Sequence, residues 1–194
     1  MIEEAKERGS NLHDLAEYAV VQINDTHPSM VIPELIRLLE KEGISLDEAI
    51  ESMTTLNKKA SEISRNYEIH ACTDVTGFGF LGHLNEMINN NVSAEIDSIS
   101  IPVIKGALHY AEEFLFTAAA QRNRNHVADN VDFSENITFA MEELLFDPQT
   151  SGGLLFAVKK EDALPFLKEL KNEGLPAAIV GHFTQKKEKN IYIK

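Results

Sequence analysis

The stretch ACTDVTGFGFLGHL, Ala71 to Leu84, decides how this sequence folds and where its chemistry lies. It begins in the alternating, β-branched run YEIHACTDV, which reads as a strand, and ends in FLGHLNEMINN, which resumes a helical period. Between them lies a glycine turn. Gly77 and Gly79 let successive backbone N–H groups face one concavity, and the helix that follows adds the positive end of its dipole, so an anion such as phosphate is held there. Asp74 would repel that anion unless a divalent cation lies between them. Mg²⁺ suits the gap, because it is usually held by one or two carboxylates together with phosphate oxygens. This reading gives a metal–phosphate site with Asp74 on the metal and Thr76, Gly77 and Gly79 on the phosphate. A plainer reading stays open, in which Thr76 caps the helix and Asp74 closes a local Asx turn. The spacing matches neither the P-loop nor the dinucleotide fingerprint.

Working outward, AEYAVVQIND supplies an N-terminal strand, and HPSMVIPELIRLLEKEG carries helical spacing from Ile32 to Leu39, stopped at Gly43. SLDE at Ser45–Glu48 is a capping box, and the apolar positions after it predict one unbroken helix from Leu46 to Arg65. Past the loop, VSAEID reads as a weak strand, and IPVIKGALHYAEEFLF and ENITFAMEELLF as helices. The tail alternates: strand GGLLFAV, helix EDALPFLKELKNEG, strand AAIVGHF, a polar turn, and strand IYIK. The class this predicts is α/β (α+β) with a mixed, partly antiparallel sheet.

Composition excludes several function classes. With 31 Asp+Glu against 18 Lys+Arg the net charge is −13, which repels nucleic acid and anionic membranes, so neither is expected as a partner. No apolar run approaches a membrane span, and the Glu- and Lys-rich start has no signal-peptide core, which points to a cytoplasmic protein. Cys72 is the sole cysteine and reads as a small buried strand residue. His13, His70, His109, His126 and His182 lie apart, without ligand spacing; His83, one turn past Gly79, is placed to approach a bound anion or to make a structural hydrogen bond. DPQTSGG, 147–153, reads as a geometric turn.

Two blocks, ACTDVTGFGFLGHLNEM and LLFDPQTSGGLLFAV, resemble the C-terminal half of selenophosphate synthetase (selenide, water dikinase), of the aminoimidazole-ribonucleotide-synthetase-like superfamily. The resemblance runs over about residues 51–194. It implies an ATP-dependent enzyme making selenophosphate from selenide, ATP and water, with Asp74 helping to bind the Mg²⁺ that holds the ATP phosphates. It also implies that the nucleophile, its partner lysine, most magnesium-binding aspartates and the glycine-rich ATP loop belong to an N-terminal half outside this sequence. No catalytic residue is therefore assigned here, and Cys72 is not the nucleophile. LFTAAAQRN has alanines where the family resemblance implies a more glycine-containing loop. Homodimerisation, or pairing with an intact synthetase, is a further expectation from the family.

Residues 1–50 resemble an internal stretch of glycogen and maltodextrin phosphorylases, with NDTHP at the edge of the glucosyl site. Asp25 and His27 map onto that loop, but the lysine for pyridoxal phosphate is absent. The expected organisation is thus a phosphorylase-like strand–helix segment, 1–50, before a synthetase-like domain, 51–194. Its strand AVVQI has lost its parent sheet and must dock on a vacant edge or stay loosely attached. Three functions are consistent with this: an enzyme part inactive on its own, a Mg–phosphate-binding or partner-pairing module, and a chimeric product without function.

Overall fold

The computed structural model describes residues 18–23, 47–88 and 91–194. Among the described residues, seven strands form one sheet: β1 (Tyr18–Ile23), β2 (Ile69–Asp74), β3 (Val92–Ile96), β4 (Val131–Phe133), β5 (Leu154–Lys159), β6 (Ala177–Gln185) and β7 (Ile191–Ile193). Their order is β2-β5-β1-β6-β3-β7-β4. The pairs from β2 to β3 are antiparallel, while β7 runs parallel to both β3 and β4. The mixed, partly antiparallel sheet is as the sequence predicts.

Among the described residues, seven α-helices accompany the sheet: α1 (Asp47–Thr54), α2 (Lys58–Ser64), α3 (Gly79–Met87), α4 (Ala107–Glu112), α5 (Ala118–Val127), α6 (Phe139–Phe146) and α7 (Lys160–Asn172). Strand β5 shows how they are divided. Successive side chains of a strand point to opposite faces. Leu155 and Ala157 join a core with Phe80, Leu84 and Phe146 of α3 and α6, whereas Phe156 and Val158 join a second core with Ala60, Ile63, Phe166 and Leu170 of α2 and α7. Both faces of β5 are therefore covered, which is why LLFAV is continuously apolar rather than alternating. Each of these fully buried large side chains contributes roughly 1.5–3 kcal/mol of burial.

The single helix expected over 46–65 is two. α1 ends at Thr54, and α2 begins at Lys58. Apolar spacing alone cannot see the reason. Thr54 Oγ1 donates to the Ile50 carbonyl at 2.7 Å, and Thr55 Oγ1 to the Glu51 carbonyl at 2.7 Å, so two adjacent hydroxyls compete for the carbonyls of the last turn. Leu56 then falls at a three-quarters exposed position, and Asn57 leaves the helix line to donate Nδ2 to the Gly152 carbonyl at 3.1 Å.

Strand β1 lies in the interior of the sheet, not on an edge. It pairs in register with β5 on one side (Val21 opposite Phe156) and with β6 on the other (Val21 opposite Ile179). The vacancy it fills is the gap between two strands, which offers backbone partners on both sides where an edge offers them on one. The helix expected over HPSMVIPELIRLLEKEG lies outside the described residues.

Candidate functional site

The site is built where β2 runs out. β2 ends at Asp74, whose side chain is exposed, and Val75 dives into the core at 1% exposure. The chain then turns through Thr76–Phe78 into α3. Thr76 O accepts the Gly79 N–H at 3.0 Å, closing the turn, and also the Gln149 N–H at 2.9 Å. The Gly79 amide is thus spent inside the turn, and its contribution is steric. With φ at +69°, a Cβ there would lie 2.7 Å from the Phe146 carbonyl carbon and oxygen. Only glycine permits both the left-handed backbone and that approach. The Thr76 and Gly77 N–H groups have no acceptor among the described residues, and space around Gly77 is open to 4 Å.

The two sequence blocks interlock behind this loop. Val75 N–H donates to the Gly153 carbonyl at 2.9 Å, and Gly152 lies against the Val75 carbonyl. Asn123 of α5, buried at 8% exposure, bridges them: its Nδ2 donates to the Gly77 carbonyl at 3.0 Å and to the Phe146 carbonyl at 2.8 Å. His83 braces the loop from its own helix, with Nε2 3.2 Å from Thr76 Oγ1 and 3.4 Å from the Phe78 nitrogen, and Nδ1 3.0 Å from Glu86 Oε2. The structural hydrogen bond, one of its two expected roles, is present.

Within LFTAAAQRN the helix begins at Ala118, and Leu115–Thr117 precede it. Thr117 caps α5, accepting the Ala120 N–H on its hydroxyl oxygen at 3.1 Å, and that hydroxyl donates to Asp147 Oδ1 at 2.9 Å. DPQTSGG is therefore more than a turn. Asp147 is buried at 1% exposure, and its Oδ2 has no partner among the described residues. Desolvation raises its carboxyl to about 7; the hydrogen bonds from Thr117 oppose the shift, and the Glu143 charge adds to it. Glu143 is itself fully buried against Arg124, whose Nε donates to Glu143 Oε1 at 2.7 Å and whose Nη1 donates to Glu142 Oε2 at 2.8 Å.

Because the folded Asp147 binds its proton up to about pH 7 while an unfolded aspartate releases it near 4, the folded state holds the extra proton in between. Its contribution is full below pH 4 and is lost as pH rises to 7, at up to about 1.4 kcal/mol per pH unit. Urea midpoints measured from pH 4 to 8 should show this fall, and Asp147→Asn should flatten it. An unchanged slope in the variant would assign the pH dependence to another group.

Cys72 differs from expectation. It is exposed on β2, the terminal strand of the described sheet, although desolvation still pushes its thiol up to about 12. Asp74 belongs to no cluster of three or more His, Cys, Asp or Glu side chains that could hold a metal among the described residues. A single carboxylate fits a Mg²⁺ that takes its other ligands from phosphate and water, and does not fit an all-protein cage. No helix among the described residues is long and apolar enough to cross a membrane.

The fold and its paired loops define a class. Residues 29–194 match the family model of the AIR synthase related protein, C-terminal domain, and the chain belongs to that family. Within it, a selenide, water dikinase of Agathobacter rectalis is 66% identical over 149 residues, covering 77% of this chain and 44% of that protein. Another, of Treponema denticola, is 46% identical over 154 residues, covering 76% and 43%. The resemblance of the two blocks to the C-terminal domain of selenophosphate synthetase is borne out. The chain spans less than half the length of these relatives. Among solved structures, thiamine-monophosphate kinase of Stenotrophomonas maltophilia K279a is similar in fold, with a TM-score of 0.55 and 16% identity over 96% of this chain and 54% of that one. HypE of E. coli is similar with a TM-score of 0.51 and 15% identity, over 91% and 46%. The family match takes in residues 29–50, part of the stretch that resembles phosphorylase, and none of these relatives is a phosphorylase.

Proposed function

We propose that this chain is the C-terminal part of an ATP-dependent selenophosphate synthetase, contributing a Mg²⁺-assisted phosphate site to a reaction whose nucleophile lies in the other half. One observation carries the reading. An exposed carboxylate, Asp74, ends a strand two residues before a hydroxyl, Thr76, and the two N–H groups of Thr76 and Gly77 have no acceptor among the described residues. Donors and carboxylate together suit a phosphate that arrives with its own cation. Gly79 shapes the loop rather than donating to it. When bound, Mg²⁺ would neutralise phosphate charge beside Asp74; the chain's own part is to orient that phosphate on the Thr76–Gly77 amides and the Thr76 hydroxyl. The segment before residue 50 belongs to the same unit, since it lends β1 to the interior of the sheet and the family match begins at residue 29.

A second reading follows from the share of the relatives that is covered, 44% and 43%. On its own, or paired with an intact synthetase or a second copy, the domain holds Mg²⁺–phosphate without chemistry. Both readings predict weak binding, with Kd near 1 mM or about −4 kcal/mol, since one carboxylate and two amides set few contacts against the cost of association. Calorimetry with ATP should give binding that requires Mg²⁺ and that Asp74→Ala weakens at least tenfold. Binding indifferent to Mg²⁺ or to that substitution would remove the metal bridge. Selenophosphate in the phosphorus NMR spectrum from selenide, ATP and water should need an added N-terminal half. Production by the chain without it would overturn the division of labour.

A further inference from the structure

A backbone amide can only donate, so the approach of the Phe78 N–H to His83 Nε2 makes that nitrogen an acceptor. The ring proton then sits on Nδ1, where Glu86 Oε2 accepts it at 3.0 Å. Nε2 has a single lone pair, yet two donors address it: the Thr76 hydroxyl at 3.2 Å and the Phe78 N–H at 3.4 Å. Both distances exceed the usual 2.9–3.0 Å, as expected when one lone pair is shared. The loop therefore has one donor more than the imidazole can satisfy. An arriving phosphate oxygen can take either donor without breaking a strong bond, and His83 keeps the other. The ring is itself held in place, buried at 7% exposure with its face 5.5 Å from the Phe78 ring, centroid to centroid.

We propose that His83 is a positioning residue for the phosphate loop: its Nε2 fixes the Thr76 hydroxyl and the Phe78 N–H in place until phosphate arrives and takes one of them, and Glu86 fixes the tautomer that makes this possible. The inference rests on the phosphate reading of Thr76 and Gly77, and goes beyond it in assigning the arrangement of the donors to a side chain that itself stays off the ligand.

The test uses the full chain with MgATP as the probe. Long-range nitrogen–proton NMR of the free protein should show the proton on His83 Nδ1, and the Nε2 resonance should move as MgATP saturates the site. His83→Leu, which keeps bulk and removes the acceptor, should weaken MgATP binding at least tenfold. His83→Gln, whose side-chain oxygen reaches where Nε2 was, should recover it to within about threefold. Glu86 is more than half exposed, so Glu86→Gln guards against misfolding of the buried variants; it should loosen the tautomer preference and weaken binding about threefold. A proton found on Nε2, an Nε2 resonance unmoved at saturation, or His83→Leu binding as wild type would overturn the inference and leave the phosphate site standing. A wild-type chain that binds no MgATP would overturn the phosphate reading and this inference with it.

Discussion

Gly152→Ala will cost the fold several kcal/mol, while Gly77→Ala, in the other signature block, will leave stability unchanged to within about 0.5 kcal/mol. A Cβ on Gly152 would sit 1.8 Å from the Val75 carbonyl oxygen, 3.0 Å from its carbon and 3.1 Å from Gln149 Cβ. None of these is the far end of a flexible side chain. Val75 cannot retreat easily, because its N–H is bonded to the Gly153 carbonyl and its side chain is in the core. Gly152 is held in turn by Asn57 Nδ2 on its carbonyl. The substitution must therefore separate the two blocks, losing hydrogen bonds and core contacts together, and a loss of about 4 kcal/mol or more is expected. In a chain of this size that lowers Tm by roughly 10 °C. Thermal melts of the two alanine variants decide it. A Gly152→Ala chain melting within about 2 °C of wild type would mean that the blocks are not packed as described.

The contrast between these glycines shows what the sequence could and could not reveal. The strand–loop–helix around Asp74 was legible because its apolar period changes from two to 3.6 across a glycine turn, and both elements are local. The partner of the loop was not, since Asn57, Asn123 and Gln149 reach it from distant positions and carry no spacing signal. Helix α5 is not legible in the sequence for a related reason. Its buried positions, Ala120, Asn123 and Val127, include a polar residue whose amide is satisfied by two carbonyls, so no apolar stripe exists to be read. The available signal was Thr117 as an N-cap before AAAQR. Asp147 looked like a turn residue by type, and only its burial separates it from one. Strand β4 has three residues, too few for a period. The apolar spacing of SLDEAIESMTTLNKKASEI predicts one helix over Leu46–Arg65, and the adjacent threonines, which are not helix-neutral, break it in two.

The register of β1 leads to the second large effect. A strand between two neighbours uses its amides and carbonyls on both sides. Gln22 lies opposite Leu155 of β5 and Ala178 of β6. Proline at Gln22 removes a ladder donor and sets a ring into an interior strand, where it has no tolerated position. More is at stake than one hydrogen bond, because among the described strands β1 alone joins β2-β5 to β6-β3-β7-β4. Without it, β5 and β6 each present an unpaired edge, and the core that spans Leu155, Ala157 and Val180 is divided beneath the gap. Gln22→Pro should accordingly abolish cooperative unfolding, and deletion of residues 1–45 should leave no protease-resistant core. Hydrogen exchange gives the complementary measurement: Val20 and Val21 amides should be protected as strongly as those of Cys72 and Thr73. The opposite pattern, rapid trimming of residues 1–43 that leaves a stable core starting near residue 45, would show that the sheet closes without β1 and that the N-terminal segment is an appendage, as its phosphorylase resemblance implies.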